Sequence, residues 1–298
     1  MISTKQLLYF DAVARHRHFG KAAEDCAVTQ PALSMQIQEL ERELGVALIE
    51  RGRTIVLTAA GEDVARRAAR VLDELAAIKA STAEQRPPLT GRLRLGVIPS
   101  IAPYVLPAVL PRLKADYPKL ELRIRETLTD YLVAQLEDST LDVALLALPI
   151  AQAGIDALPL FDDPFLLAMP DQPPKPRQRR ASRAQLETAP LLLLEEGHCL
   201  RDQALSFCSQ RDLENVDSFG ASSLSTLVQM VASGLGQTLL PEMSVSVEGT
   251  RPGVRLMRFR APEPSRQIGL AFRKTSPLRA DFDALGAVIM AARPAASA

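Results

Sequence analysis

The apolar residues of the first 58 positions recur at the spacing of short helices. In QPALSMQIQELERELG, residues 30–45, they follow at intervals of four, three and four residues, and the stretch ends on a glycine. The repeating residues are Leu33, Ile37, Leu40 and Leu44. This spacing places them on one helix face, and glycine is a helix stop signal. The pattern therefore predicts a helix over 30–44.

The preceding stretch, FGKAAEDCAVTQ, predicts a second short helix with small residues on one face. Ala22, Ala23 and Cys26 form this face, and Val28 and Thr29 break the pattern. Two short helices with a tight turn between them and small residues at their crossing are typical of a helix-turn-helix. Cys26 is accordingly interpreted as a core residue.

A basic turn and a longer helix follow. Arg51, Gly52 and Arg53 precede the apolar TIVLT and predict a hairpin wing. From about 59 to 86, apolar residues alternate four and three apart, a short heptad-like seam that favours pairing with a second helix. The seam residues are Val64, Ala68, Val71, Leu75 and Ile78. The two prolines of RPPLTG at 86–91 end this helix.

The rest of the chain alternates strand-like and helix-like runs, which predicts an α/β domain with largely buried strands. The strand candidates are 92–98, 120–126, 141–148, 164–169, 189–196, 236–241, 254–259 and 266–272. The proline- and arginine-rich stretch at 171–183 is interpreted as a solvated loop, with a nucleic-acid contact as the alternative.

Composition narrows the class of protein. The 298 residues are 47% hydrophobic and carry no formal net charge, so a sizeable core is available and no global basic field indicates nucleic acid. The apolar runs are shorter than the roughly 18 residues of a membrane span. Three cysteines argue against a disulfide framework. We expect a soluble, cytoplasmic chain without a membrane partner.

The polar side of the 30–44 helix carries groups that can read DNA. Gln and Ser side chains donate to and accept from base edges in the major groove, where the first turn of a recognition helix enters. An ordinary helical hairpin with a polar surface is the alternative. The predicted DNA contacts are Thr29, Gln30, Pro31, Ser34, Gln36, Gln38, Arg51 and Arg53.

The stretch FGKAAEDCAVTQPALSMQIQELERELGVALIER resembles the winged helix-turn-helix of LysR-type transcriptional regulators. The resemblance is carried by Gln30, Pro31, Ser34, Ile37, Leu40, Glu41, Leu44, Gly45 and Arg51. GLGQTLLP at 234–241 is similar to a stretch common in that family, whereas Ile49 stands where the family more often has Phe. The resemblance implies a dimerising linker helix and a two-lobed, periplasmic-binding-protein-like (Rossmann-type) effector domain.

The resemblance to this family implies boundaries for three domains. The DNA-binding domain would cover 1–58, the linker helix and hinge 59–90, and the regulatory domain 91–298. Within the last, lobe I would hold about 91–163 and 267–298, and lobe II about 164–266.

The stretch LEEGHCLRDQALSFC at 194–208 resembles the hydrogen-peroxide sensors of this family. That resemblance makes Cys199 the peroxide-reacting thiol and Cys208 its resolving partner. It also implies that Ser100, where the family more often has Thr, and Thr129 position peroxide. Arg266 is a weaker member of the same site.

The residues themselves support a reactive Cys199. A thiolate is the nucleophile, and nearby positive charge or a helix N-terminus stabilises it. The sequence predicts a helix beginning at Cys199, with His198 and Arg201 as further stabilisers of the anion and Asp202 orienting Arg201 or a peroxide oxygen. If 199–208 were one helix, its end Cα atoms would lie about 13.5 Å apart, whereas a disulfide needs roughly 4.4–6.8 Å.

Other interpretations of the two thiols stay open from these residues alone. Both cysteines can be buried core residues, the usual fate of free Cys. A zinc site from His198, Cys199 and Cys208 is disfavoured because no CxxC supplies further ligands. We predict no metal and no cofactor.

Three functions are compatible with the sequence. The first is a peroxide-responsive regulator, not an enzyme, whose partners are double-stranded promoter DNA, hydrogen peroxide, three further copies of the chain in a tetramer, RNA polymerase and a thiol reductant. The second keeps the fold, with a metabolite between the lobes and incidental cysteines. The third is a thiol peroxidase, in which the DNA-reading N-terminus has no role.

Overall fold

The computed structural model describes residues 1–50, 55–82, 86–171, 180–187, 189–207 and 220–293. Contacts divide the chain into two compact units: Met1–Arg86 with Glu137–Thr140, and Pro87–Leu136 with Leu141–Ala298. Arg51, Arg53 and Cys208, which the sequence analysis singles out, lie outside the described residues.

The first unit is helical. Its helices are α1 (Thr4–His16), α2 (Phe19–Asp25), α3 (Gln30–Leu44) and α4 (Ala59–Thr82). A capping box starts α1, because the Ser3 hydroxyl accepts from the Gln6 N–H and the Gln6 side chain accepts from the Ser3 N–H. The fully buried core side chains include Phe10, Val13, Leu33 and Leu40.

A tight turn joins α2 to α3. Ala27 takes a left-handed conformation with φ of 54°, and the Val28 N–H bonds to the Ala23 carbonyl at 3.0 Å. Ala22 and Ala23 are buried at the crossing, and the half-buried Cys26 packs against the same core. The helix-turn-helix prediction is confirmed in this unit.

The residues that follow α3 form the paired base of a hairpin. Ile49 and Leu57 make an antiparallel bridge, and the Glu50 N–H bonds to the Val56 carbonyl at 2.9 Å. This is the position in which the sequence predicts a wing; the basic tip is outside the described residues.

The seam predicted on α4 divides into two parts. Ala68 is 1% exposed and Val64 packs against the N-terminal core, so both are covered within their own chain. Val71 and Ile78 are 45% and 56% exposed, and Leu75 is half-buried. The C-terminal part of the seam is therefore open to solvent within one chain.

The second unit is built on a mixed seven-stranded sheet. Its strands are β1 (Gly91–Val97), β2 (Leu120–Glu126), β3 (Val143–Leu148), β4 (Ile155–Pro170), β5 (Thr238–Pro241), β6 (Val254–Arg258) and β7 (Ser265–Arg273). They follow the order β2-β1-β3-β7-β4-β5, with β6 also paired to β4. The helices are α5 (Ala102–Asp116), α6 (Thr129–Glu137), α7 (Cys199–Phe207), α8 (Leu224–Ala232), α9 (Val245–Glu248) and α10 (Arg279–Ala292). Short 3₁₀ helices cover Arg183–Glu187 and Glu242–Ser244.

Strand β4 belongs to two groups of strands. Up to Pro164 it pairs with β7, and from Phe165 it pairs with β5 and β6. The sequence predicts only its second half, since the proline and charged residues of the first half hide the pattern. Strand β4 thereby joins the two groups of strands within one unit.

One predicted strand, 189–196, is wrong. Leu191 and Leu194 make single parallel bridges to Gln237 and Ala221, and no continuous strand forms there. An apolar run predicts that its leucines are buried, as they are here. It does not predict that its backbone forms a continuous ladder of hydrogen bonds.

Among the described residues, every helix is too short or too polar to cross a bilayer.

Gly61 permits a close approach between α4 and the hairpin. A Cβ at this position would lie 2.0 Å from the Leu48 carbonyl oxygen, a backbone atom. We expect Gly61→Ala to destabilise the protein by about 2 kcal/mol through overpacking, although alanine favours helices over glycine. Urea unfolding measures this free energy.

The matched control is Gly154→Ala, which adds the same methyl group where nothing lies within 4 Å. If Gly61→Ala unfolds at the wild-type midpoint, the close approach is not a constraint.

Candidate functional site

Cys199 is the first residue of α7. The preceding turn depends on Gly197, whose φ of 88° favours glycine and whose Cβ would meet a Leu128 methyl at 3.0 Å. Cys199 is half-buried and packs against the core, while Leu200 and Ala204 on the same helix are each 3% exposed. The helix therefore lies with one face in the core and its N-terminus at the thiol.

A tight cavity, which in this structure leaves no room for a water molecule, brings the predicted peroxide residues together. Its polar lining comes from the segment after β1, from the start of α6 and from the start of α7. The lining residues are Ile98, Pro99, Ser100, Leu128, Thr129, Gly197, His198, Cys199 and Leu200.

Two helices begin in the lining of this cavity and a third begins beside it. Thr129 and Cys199 start α6 and α7, and Ala102 starts α5 two residues after Ser100. The N-terminal end of a helix carries a partial positive charge. Such an environment stabilises a thiolate and any negative charge that develops on a bound oxygen.

The Thr129 hydroxyl points to a ligand. Its oxygen is buried and has no hydrogen-bond partner within the described structure. A buried unsatisfied polar atom costs about 1–3 kcal/mol, which a small polar molecule would recover if the lining shifted to admit it.

Ser100 is held by a buried ion pair. The Arg266 guanidinium donates to the Ser100 hydroxyl oxygen at 2.8 Å and to its carbonyl at 3.1 Å. Arg266 Nε donates to Asp163 Oδ2 at 2.9 Å, and the other Asp163 oxygen accepts from the Met243 N–H at 3.0 Å. Because the Ser100 oxygen already accepts from Arg266, its own proton is left for donation to another group.

His198 lines the cavity beside the thiol. Burial lowers its pKa, against a smaller opposing effect of Glu195. Burial therefore favours the neutral imidazole, and the role of His198 as a stabiliser of the anion stays a prediction.

The contacts of Arg201 and Asp202 differ from the predicted ones, in which Arg201 stabilises the thiolate and Asp202 orients Arg201 or a peroxide oxygen. The Arg201 guanidinium donates to the Leu194 carbonyl at 3.0 Å, and Asp202 is exposed. No ion pair joins the two side chains in the part of the chain that is described. Arg201 thus fastens α7 to the preceding segment.

Asp163 belongs to this site but is not predicted from the sequence. It lies within β4 between Asp162 and Pro164, where no local pattern distinguishes it from a surface carboxylate. Its role follows only from the partner across the sheet, Arg266.

In the first unit, the polar side of α3 faces an open groove of about 880 Å³. Gln30, Ser34 and Gln38 line it, as do Arg17 and His18, which the sequence analysis missed because they fall in the α1–α2 turn. Among the other predicted DNA contacts, Thr29 and Pro31 are exposed and Gln36 is half-buried. In the described residues, no cluster of three or more His, Cys, Asp or Glu could hold a metal ion.

Two family models match the chain. The model of the bacterial regulatory helix-turn-helix protein, lysR family, matches residues 4–62. The model of the LysR substrate binding domain matches residues 86–293.

Several known proteins are similar to this chain over nearly its whole length. The chain is 42% identical over 291 residues to the DNA-binding transcriptional dual regulator OxyR of Escherichia coli K12, which covers 97% of this chain and 95% of the relative. A full-length OxyR variant from Pseudomonas aeruginosa has a TM-score of 0.86 at 34% identity and covers 100% of both chains. A cysteine mutant of Corynebacterium glutamicum OxyR with hydrogen peroxide bound has a TM-score of 0.67 at 36% identity, covering 97% of this chain and 94% of that one.

Proposed function

This chain belongs to the LysR family of transcription regulators and, within it, to the OxyR group; from that premise we propose that it regulates promoters in response to hydrogen peroxide. The observation that carries the proposal is the cavity in which Cys199, at a helix N-terminus, meets the Ser100 and unpartnered Thr129 hydroxyls. The protein works in the cytoplasm as a sensor and not as an enzyme.

The first chemical step is nucleophilic. The Cys199 thiolate attacks one peroxide oxygen, the O–O bond breaks, and the departing hydroxide takes up a proton to leave as water. Hydroxyl protons of Ser100 and Thr129 stabilise the charge on the departing oxygen. Cys199 is left as a sulfenic acid.

The second step closes a disulfide. The Cys208 thiolate attacks the Cys199 sulfur, the S–O bond breaks, and hydroxide leaves as a second water. Helix α7 rises about 12 Å from Cys199 to Phe207 at 1.5 Å per residue, so the bond forms only when this helix unwinds. A thiol reductant returns two electrons and restores the starting state.

The unwound segment changes how the effector domains pack. Linker helices pair two chains through the exposed part of the α4 seam, and effector domains pair again to give a tetramer on double-stranded promoter DNA. Respacing the DNA-binding heads then changes the contact with RNA polymerase.

The test of this function is a pulse of about one equivalent of hydrogen peroxide, followed by thiol trapping and peptide mass spectrometry. We expect a Cys199–Cys208 disulfide. Cys26 should stay reduced, because burial, with Asp25 close by, raises the pKa of its thiol and keeps it protonated.

The Cys208→Ser variant supplies the control, since it should stop at the sulfenic acid. If Cys199 and Cys208 both stay reduced at that dose, peroxide is not the effector. A thermal shift with metabolites and none with peroxide would then favour a metabolite-responsive regulator.

Removing the Ser100 hydroxyl should slow the first step. We expect Ser100→Ala to reduce the rate of Cys199 oxidation about tenfold or more, because one donor to the departing oxygen is lost. Stopped-flow kinetics in the Cys208→Ser background measures this step alone.

Ser223→Ala is the matched control, because Ser223 caps α8 through the Thr226 N–H and is not in the cavity lining. An unchanged rate for Ser100→Ala removes Ser100 from the mechanism.

DNA recognition and assembly can be tested together on a promoter fragment selected from genomic DNA by the wild-type protein. We expect native mass spectrometry to show four chains per fragment.

Gln30→Ala should weaken binding to this DNA fragment by about 1–3 kcal/mol, because one contact to a base is lost.

Gln229→Ala makes the same change at an exposed position of the second unit and should bind normally. Monomers with and without peroxide would contradict the assembly. Equal affinities of the Gln30→Ala and wild-type proteins would remove Gln30 from DNA recognition.

A further inference from the structure

The C-terminal end of α7 is held by an aromatic contact that the proposed chemistry does not use. Phe207, the last residue of α7, places its ring edge against Phe259 with centroids 5.3 Å apart and planes at 76°. The Arg183 guanidinium lies 5.4 Å from the centroid of the same ring. These are the geometries of a favourable aromatic pair and a cation–π contact.

The surface that receives Phe207 is built without α7. Phe259 is 2% exposed, and its backbone bridges Ala181. The Ala181 N–H bonds to the Arg258 carbonyl at 2.7 Å, and the Arg260 N–H bonds to the Ala181 carbonyl at 3.0 Å. Arg183 and Phe259 therefore lie on backbone segments that are held by pairing with each other and not by α7.

Helix geometry makes one end of α7 move during disulfide formation. The Cα atoms of Cys199 and Phe207 lie about 12 Å apart along the helix. Residue 208 can place its Cα only about 3.8 Å from that of Phe207. Wherever Cys208 points, its Cα stays at least about 8 Å from that of Cys199, beyond the roughly 6.8 Å limit of a disulfide.

The two ends of α7 are held differently. Leu200 and Ala204 hold the N-terminal half in the core, with 3% exposure each. Beyond them the helix alternates exposed and half-buried residues, and Phe207 carries the aromatic contacts described above. Leu205 and Phe207 also pack against the core but are only half-buried, so releasing the C-terminal end gives up less buried surface than releasing the N-terminal half.

We propose that Phe207, clamped between Phe259 and Arg183, is a positioning residue that sets how readily the Cys199–Cys208 disulfide forms. The inference rests on the disulfide of the proposed function. The clamp stabilises only the reduced, helical state, and disulfide closure must pull the ring from its site. Weakening the clamp shifts the equilibrium toward the disulfide and leaves peroxide attack on Cys199 unchanged.

The experiment equilibrates the full-length protein in glutathione buffers of graded ratio and measures the fraction of Cys199–Cys208 disulfide. Two glutathione thiols are oxidised for each disulfide reduced, so peroxide is not needed. We expect Phe207→Leu to raise the disulfide-to-dithiol ratio about tenfold, or about 30 mV for this two-electron couple. Arg183→Ala should raise it about threefold.

Three further proteins separate the clamp from general packing. Phe207→Tyr keeps the ring and should behave as wild type. Arg260→Ala removes an exposed guanidinium next to Phe259 and should not shift the ratio. In the double variant, Arg183→Ala should add nothing to Phe207→Leu, because its contact is already lost.

The outcomes are distinct. Equal ratios for Phe207→Leu and wild type overturn the clamp, as does the absence of the disulfide at every glutathione ratio. If glutathione forms the disulfide with these shifts but peroxide does not, the clamp stands and the peroxide function fails. In the Cys208→Ser background, Phe207→Leu should leave the rate of peroxide attack unchanged; a slower rate assigns Phe207 to the cavity instead.

Discussion

The buried ion pair between Arg266 and Asp163 is the interaction on which the thiol cavity depends. The two residues face each other across β7 and β4, next to the point where β4 passes from one group of strands to the other. Their remaining hydrogen-bonding groups hold Ser100, which follows β1, and the backbone of Met243, which follows β5. Removing one member would leave a buried charge uncompensated, at a cost of about 3–5 kcal/mol. The pair thereby fixes the wall against which α7 begins.

Helix α7 connects this side of the cavity to the disulfide step of the proposed function. Its N-terminus presents Cys199 to the cavity, its middle packs into the core, and its last ring rests on Phe259. The helix that presents the thiol at its N-terminus also keeps it far from residue 208. Reactivity and resistance to disulfide closure are thus consequences of one short helix, and the chemical step and the conformational step are coupled through it.

Local patterns predict the parts of this arrangement that depend on nearby residues. The strand at 120–126 and the helix beginning at Cys199 follow from apolar spacing and turn residues. The first half of β4 and the bridges of 189–196 do not, because pairing partners decide them. Asp163 and Arg266 are 103 residues apart, so no local signal links them. His198 shows the same limit, since its burial, which the sequence does not reveal, lowers its pKa.

The size of the thiol cavity has a consequence for which oxidants reach Cys199. In this structure the cavity leaves no room even for a water molecule, so any oxidant that reaches Cys199 must first displace part of the lining. His198 is the one titratable cation among the lining residues, and burial lowers its pKa. The cavity therefore selects oxidants mainly by size. A molecule as small as hydrogen peroxide needs only a slight shift of the lining, whereas a bulky alkyl group needs a larger movement of α7.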